Sequence, residues 1–194
     1  MALLIYFLLY FFLAFVWRAV VVYRQSGNNP FVLSAEDNVY GYVSRAFKVV
    51  ILVIAFVVSL NAVNPGISAW LGPFLILKNQ SSQIGGWFLL ITSFGWLLIA
   101  QVQMGNSWRI GIDSKNSTAM VSSGLFSVSR NPIFLAMRIN LLGFFFVLPN
   151  TATLVVLVSG ELLMQVQVRL EEIHLANLHG KQYAQYAARV RRWL

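Results

Sequence analysis

The sequence predicts an all-α integral membrane protein, a bundle of about five transmembrane helices. Two observations indicate this fold class. Of the 194 residues, 58% are hydrophobic and only 10% are charged, whereas a soluble domain is close to a quarter charged. The hydrophobic residues also stand in uninterrupted runs of roughly 16 to 22 residues, which is long enough to cross about 30 Å of hydrocarbon. These features exclude a soluble globular domain, a disordered protein and a disulfide-rich scaffold.

Five apolar runs predict the transmembrane helices, each to within several residues. They are Ala2–Tyr23, Ala46–Val63, Ile84–Met104, Pro132–Leu148 and Ala152–Leu170. No basic region precedes the first run, which predicts a retained helix and not a cleaved signal peptide. Between the second and third runs, the apolar stretch is too short to cross the bilayer. We therefore expect a short interfacial segment over Asn64–Gln83.

The basic residues predict the orientation in the membrane. Twelve of the fourteen Lys and Arg residues fall in or beside the connection after the first run, the connection after the third run and the C-terminal segment. The other side carries only Lys78, and Arg138 lies inside a run. Because cytoplasmic loops are enriched in Lys and Arg, we expect the N-terminus outside and the C-terminus in the cytoplasm. This topology accounts for the net charge of +8, so no nucleic-acid partner is predicted.

The connection between the fourth and fifth runs is so short that these helices must form an antiparallel hairpin. Arg138 lies twelve residues before Asn150, and Glu161 lies eleven residues after it. At about 1.5 Å per residue, both reach a depth of roughly 17 Å from the turn. Because a charge in hydrocarbon is costly unless it is paired, we predict an Arg138–Glu161 ion pair. The pair would be a structural clasp or a direct ligand contact.

The fifth helix is predicted to be longer than the membrane is thick. Its pattern continues to about His179, with Gly180 as the C-cap candidate, so about 28 residues span about 42 Å. Two to three turns should project into the cytoplasm. A final cationic helix, Lys181–Trp193, is typical of an amphipathic helix that lies on an anionic membrane surface.

Several kinds of site are missing from the sequence. The absence of cysteine excludes disulfides, thiolate catalysis and thiolate metal sites. The two histidines, His174 and His179, have no third ligand at a metal-binding spacing, so no metal is predicted. No glycine-rich dinucleotide motif and no phosphate-binding loop occurs.

Two blocks of residues on either side of the hairpin carry a more specific pattern. The first contains Ser123-Gly-Leu-Phe126 and Arg130-Asn-Pro-Ile-Phe134. The second contains Glu171, Glu172, Leu175, Gly180, Tyr183, Tyr186, Arg189 and Val190. Together the blocks resemble the isoprenylcysteine carboxyl methyltransferase family and related membrane-embedded methyltransferases. That family has a Ser-Gly-x-Tyr turn, an Arg-His-Pro-x-Tyr segment, a helical hairpin and a Glu-Glu block that ends in Arg-Val. The resemblance covers about residues 105–190.

The resemblance implies a single transmembrane methyltransferase domain over residues 1–194, with motif blocks at 105–134 and 167–190. It implies S-adenosyl-L-methionine as the cofactor, bound in a pocket at the inner membrane face. The residues that correspond to cofactor-binding positions of the family are Thr118, Ala119, Met120, Val121, Phe126, Arg130, Asn131, Pro132, Ile133, Phe134 and Glu171.

Two departures from the family pattern concern the reaction. The family histidine is Asn131 here, and an amide does not titrate near neutrality, so no general base and no catalytic residue is assigned. The substrate-contacting arginine that stands four residues before the first glutamate is Gln167 here. The position remains a substrate-binding candidate, but the missing cation leaves open whether a carboxyl, an amine or a hydroxyl is methylated.

The implied activity is methyl transfer to a lipophilic acceptor that enters from the bilayer. An in-line displacement mainly requires alignment of the reactants and exclusion of water. Two alternatives stay open. Sterol reductases share a similar C-terminal half but use NADPH and usually have more spans, and a non-catalytic membrane scaffold or lipid-binding protein would bind no cofactor.

Overall fold

The computed structural model describes residues 1–33, 37–111 and 119–194. Within these ranges the chain forms six α-helices. The helices are α1 (Ala2–Ser26), α2 (Val39–Val63), α3 (Gln80–Met104), α4 (Pro132–Val147), α5 (Thr151–His179) and α6 (Lys181–Arg189). A π-helical stretch at Phe12–Trp17 interrupts α1. Short 3₁₀ turns lie at Pro65–Ala69, Leu75–Leu77, Gly105–Ser107 and Gly124–Ser127.

Four of the helices are long and apolar enough to cross a membrane, namely α1, α2, α3 and α5. Helix α4 has only 16 residues, which span about 24 Å. The predicted bundle of membrane helices is confirmed at this level. The count of five spans depends on α4 and, like the orientation, stays a prediction.

Local signals determine where the helices begin and end. Asn38 caps α2 by accepting a hydrogen bond from the Gly41 N–H group (2.9 Å), so α2 begins seven residues before the predicted run. Asn150 and Thr153 form a capping box at the start of α5. Helix α5 ends at His179, where Gly180 has φ +50°, as the sequence predicts.

Two glycines let α3 and α4 cross at close range. A Cβ atom at Gly86 would lie 2.9 Å from the Gly143 carbonyl oxygen, and one at Gly143 would lie 2.9 Å from the Gly86 carbonyl oxygen. Small residues at such crossings allow backbones to pack in contact within a membrane. The crossing fixes the position of the α4–α5 hairpin against the rest of the bundle.

The predicted ion pair across the hairpin is confirmed. The Arg138 Nε atom lies 2.6 Å from Glu161 Oε2. The Arg138 guanidinium group also lies over the Trp193 ring, 4.1 Å from its centroid. Neither charged side chain lines a described cavity, so the pair is a structural clasp between α4 and α5.

A polar network connects three helices inside the apolar bundle. Asn140 on α4 donates hydrogen bonds to the Tyr6 hydroxyl on α1 and to the Ser93 hydroxyl on α3. The Tyr6 hydroxyl in turn donates to the Leu90 carbonyl oxygen (2.8 Å). These groups satisfy each other where no water is present to do so.

The predicted final helix is too long, and its expected position on the membrane surface stays a prediction. Helix α6 ends at Arg189, and residues 190–194 leave the helix and pack against the start of α4. Tyr183 and Tyr186 of this helix are buried in the protein. The physical reason for the shorter helix is a set of tertiary contacts made by the last residues, which a helical pattern does not reveal.

A two-residue parallel pairing joins the segments that follow α1 and α3. Strand β1 (Phe31–Val32) pairs with β2 (Ile110–Gly111). Gly111 has φ +95°, and a Cβ atom there would overlap the Val32 carbonyl oxygen. The pairing holds the segment after α3 over the end of the bundle.

Candidate functional site

A cavity of about 220 Å³ lies where α3 ends, α4 begins and the end of α5 extends beside them. Every predicted site residue in the described ranges lines it. These residues are Ala119, Met120, Val121, Phe126, Arg130, Asn131, Pro132, Ile133, Phe134, Gln167 and Glu171. Thr118 lies outside the described residues. The two motif blocks, separated by the hairpin in sequence, therefore meet at one cavity.

The loop before α4 forms one wall of the cavity. The Ser107 hydroxyl donates a hydrogen bond to the Ala119 carbonyl oxygen (3.2 Å), and the Leu125 N–H group donates to Gln103 Oε1 (2.7 Å). Gly124 has φ +62°, and a Cβ atom there would lie 2.5 Å from the Gln103 side chain. The Ser-Gly turn therefore requires glycine in order to pack against the end of α3.

The phenols of α6 close this wall from the other side. The Tyr186 hydroxyl donates to the Phe126 carbonyl oxygen (2.6 Å), and Tyr183 packs beside Tyr186 with ring centroids 6.1 Å apart. Burial raises the pKa of Tyr186 to about 12 and also raises the pKa of Tyr183. Both phenols are thus neutral near pH 7 and supply aromatic surface with hydroxyl groups.

The first residues of α4 line the cavity. Asn131 is the N-cap and Pro132 the first helical residue, and the first hydrogen bond of the helix runs from Leu135 N–H to the Asn131 carbonyl oxygen (2.9 Å). The N–H groups of Ile133 and Phe134 accordingly have no partner within the helix. Such amides favour an anion, because the helix dipole adds to their partial positive charge.

Helix α5 contributes one carboxylate to the cavity. Gln167 Nε2 donates a hydrogen bond to Glu171 Oε1 (2.9 Å), as their spacing of four residues allows. The other carboxylate oxygen of Glu171 has no partner among the described residues. Gln167 therefore orients Glu171 and leaves it an oxygen that can accept a hydrogen bond from a ligand.

The next residue, Glu172, belongs to an ion cluster behind the cavity wall. Its carboxylate lies 2.7 Å from Arg192 Nη2 and 3.5 Å from Arg130 Nε, and Asn131 Nδ2 donates to it at 3.1 Å. The side chain is only 9% exposed. The hydrogen bond to Glu172 raises the pKa of Arg192. The sequence analysis missed this cluster, because the Glu-Glu pattern alone does not distinguish its two carboxylates.

Residues near the end of α3 also line the cavity and were missed by the sequence analysis. They are Gln101, Met104, Ser107, Trp108, Arg109, Ile110 and Gly111. Gln101 is buried, and its amide nitrogen donates to the Ala14 carbonyl oxygen (2.8 Å). Trp108 is 3% exposed and lies beside Arg18 of α1. The one sequence feature that could have predicted a role for Gln101 is its polar side chain near the end of an apolar run.

A second, apolar cavity of about 100 Å³ lies deeper between α1, α2, α4 and α5. Four residues line both cavities, so the two adjoin. They are Phe15, Phe47, Ile51 and Met137. The site thus combines a polar chamber at the end of the bundle with an apolar chamber among the helices. Within the described ranges, no group of three potential metal ligands occurs.

The fold and these cavities define a multi-pass helical membrane protein with a ligand-sized polar chamber at one end of the bundle. The sequence profile of the phospholipid methyltransferase family matches residues 81–182, slightly more than half of the chain. The chain belongs to this family, which also includes the isoprenylcysteine-type membrane methyltransferases, and is a membrane methyltransferase. The family generally uses S-adenosylmethionine. No curated protein and no solved structure matches the chain significantly.

Proposed function

We propose that the protein transfers a methyl group from S-adenosyl-L-methionine to a lipophilic acceptor. One observation carries this proposal: the residues of the two motif blocks line a single cavity. The family match supports the methyltransferase class, and the cavity supplies the candidate binding site. The acceptor is not restricted to a prenylated cysteine, because Gln167 replaces the family arginine.

The groups around the cavity fit the chemistry of the cofactor. The cofactor supplies a methyl group on a sulfonium centre, together with an ammonium, a carboxylate and an adenine ring. Glu171 would bind the cationic part. The Ile133 and Phe134 amides, with Arg130 beside them, would bind the carboxylate, and the Phe126 ring would pack against the adenine.

The chain's contribution to the reaction is positioning and exclusion of water. The donor, held by Glu171 and the start of α4, would supply the methyl group from its sulfonium centre to the acceptor, and S-adenosyl-L-homocysteine would be the second product. A carboxylate acceptor is already ionised near neutral pH and needs no base. An amine or hydroxyl acceptor must lose a proton, which Asn131 cannot take up.

The adjoining apolar cavity supports a lipophilic acceptor. Its lining is almost entirely aromatic and aliphatic, with the Asn140 and tyrosine side chains as its polar groups. A hydrocarbon chain in this cavity would place a polar head in the larger chamber. We further propose that this chamber lies at the cytoplasmic membrane face, where the donor is available.

Calorimetry with S-adenosyl-L-homocysteine on the purified protein tests the cofactor assignment. We expect saturable binding to the native chain and at least tenfold weaker binding to Glu171→Ala. Asp37→Ala is the matched control, because it removes a carboxyl group from a fully exposed side chain and should bind normally. No binding at millimolar ligand, or stabilisation by NADPH instead, would contradict the proposal.

A second variant separates the acceptor from the cofactor. Ile54 lines only the apolar cavity, so Ile54→Trp should fill it while S-adenosyl-L-homocysteine still binds. Transfer of labelled methyl groups to the membrane fraction should fall at least tenfold. Leu52→Trp, on the exposed side of the same helix, should transfer normally. Equal transfer by the two variants would argue against an acceptor in this cavity.

A further inference from the structure

The C-terminal tail, residues 190–194, crosses the start of α4 directly behind the cavity. Its backbone pairs with the turn that leads into the helix. The Arg130 N–H group donates to the Arg191 carbonyl oxygen (2.9 Å), and Asn131 Nδ2 donates to the Arg192 carbonyl oxygen (3.2 Å). The Ser129 hydroxyl lies 3.4 Å from the same Arg192 oxygen. The tail therefore contacts three consecutive residues of the turn, of which Arg130 and Asn131 line the cavity.

The Arg192 side chain connects this turn to α5. Its Nε and Nη2 atoms donate to Glu172 Oε2 at 3.0 and 2.7 Å, a two-pronged contact that the planar guanidinium group favours. Asn131 Nδ2 donates to the same carboxylate through Oε1. One residue further on, the Trp193 ring covers the Arg138 guanidinium group.

Glu172 and Arg192 do not line the cavity, but they contact Arg130 and Asn131, which do. Glu172 holds Asn131 and Arg130 from behind, and Arg192 holds Asn131 through its backbone. Asn131 is also the N-cap that sets the direction of the Ile133 and Phe134 amides. A displacement of this turn would move the amides and the Arg130 side chain away from a bound ligand.

We propose that the Arg192 and Glu172 side chains are positioning residues for the methyl-transfer site, through their contacts with Arg130 and Asn131. The proposal rests on the proposed function, because it assigns the geometry of the cofactor cavity to this ion pair. The pair fixes the wall formed by Arg130, Asn131 and the start of α4, and itself touches neither reactant.

Two neighbouring arginines provide a matched test. The Arg191 side chain is exposed, and only its backbone carbonyl contacts Arg130, so Arg191→Ala removes a charge without removing a contact. Arg192→Ala removes the same charge and the pair with Glu172. With S-adenosyl-L-homocysteine in calorimetry, well below the melting temperature of each variant, we expect at least fivefold weaker binding to Arg192→Ala and unchanged binding to Arg191→Ala.

Rescue by a conservative variant separates positioning from stability. Arg192→Lys keeps a cation near Glu172 but loses the two-pronged contact, so it should recover part of the affinity, and it serves as the test if Arg192→Ala does not fold. A lower Tm with unchanged affinity in both Arg192 variants would overturn the proposal, because it would make the pair purely structural. Failure of the native chain to bind the ligand would instead overturn the proposed function.

Discussion

At the scale of single residues, two adjacent carboxylates of α5 have different surroundings. Glu171 lines the cavity and, among the residues that the structure describes, shares a hydrogen bond with Gln167 alone. Glu172 points about 100° further around the helix and meets two arginines and Asn131. The first carboxylate is available to a ligand, while the charge of the second is already compensated by the protein.

This difference predicts different effects of removing each carboxylate. Glu172→Ala leaves the guanidinium groups of Arg130 and Arg192 unpaired, so we expect it to destabilise the protein by about 2 kcal/mol, less than for a fully buried pair because Arg192 is partly exposed. Glu171→Ala should leave the unfolding temperature almost unchanged and weaken cofactor binding more. Thermal unfolding and calorimetry on both variants check this. A larger loss of stability in Glu171→Ala would be inconsistent with the contacts described.

At the scale of helices, the α4–α5 hairpin depends on a clasp within the membrane. Arg138 and Glu161 come from different helices and meet at 2.6 Å. Their short connection and their equal distances from the turn were enough to predict the contact from sequence. The clasp lies on the side of the hairpin that the C-terminal tail reaches through Trp193.

Removing one partner of the Arg138–Glu161 pair should lower the free energy of unfolding more than removing both partners. Arg138→Ala leaves Glu161 with the hydrogen bond from Gln165 Nε2 (2.8 Å) but without its arginine. An unpaired charge at the centre of a membrane helix costs up to about 2.5–3.5 kcal/mol. We expect the double variant Arg138→Ala with Glu161→Ala to recover much of this loss. Unfolding of both single variants and the double variant in detergent forms the complete cycle. Additive losses would show that the two side chains do not interact.

The helical elements differ in how far the sequence predicts them. The overhang of α5 and its end at Gly180 follow from periodicity and a glycine, which are local signals. The end of α6 at Arg189 does not, because the tail leaves the helix to satisfy partners at Ser129, Arg130 and Asn131 that are about 60 residues away in sequence. Similarly, the β1–β2 pairing joins two-residue segments that carry no strand pattern of their own.

The residues of the site divide in the same way, into those that local sequence predicts and those that depend on tertiary packing. The residues carried over from the family pattern line one cavity, because each lies in or next to a motif block. Gln101 and Trp108 line it as well, but their positions follow from the packing of α1 against α3 and the segment after it. That packing involves segments that are distant in sequence, so no local pattern predicts it.

At the scale of the whole molecule, the orientation in the membrane is a prediction that the chain makes easy to test. It contains no cysteine, so single cysteines can be labelled without a background. Ser81→Cys precedes the apolar part of α3 and should react with an impermeant maleimide in intact cells. Gln185→Cys on α6 should react only after permeabilisation. Both positions are exposed, and the reverse pattern of labelling would invert the topology.

In the whole molecule, the polar and apolar chambers adjoin. Together they would form one site for two chemically unlike reactants. In the proposed reaction, a water-soluble donor would bind in the chamber between the loop and α5, and an acceptor chain would bind in the cavity between the helices. Four residues line both chambers, so the reacting groups would meet at their junction. Such an arrangement would explain how an enzyme that uses a polar donor can be built almost entirely from membrane helices.

An experimental structure of the purified protein with S-adenosyl-L-homocysteine tests the central claim most directly. We predict ligand density in the chamber bounded by residues 119–134 and Glu171, with the ligand's carboxylate at the Ile133 and Phe134 amides. Density at another place in the bundle, or a chamber filled by protein side chains at saturating ligand, would contradict the account.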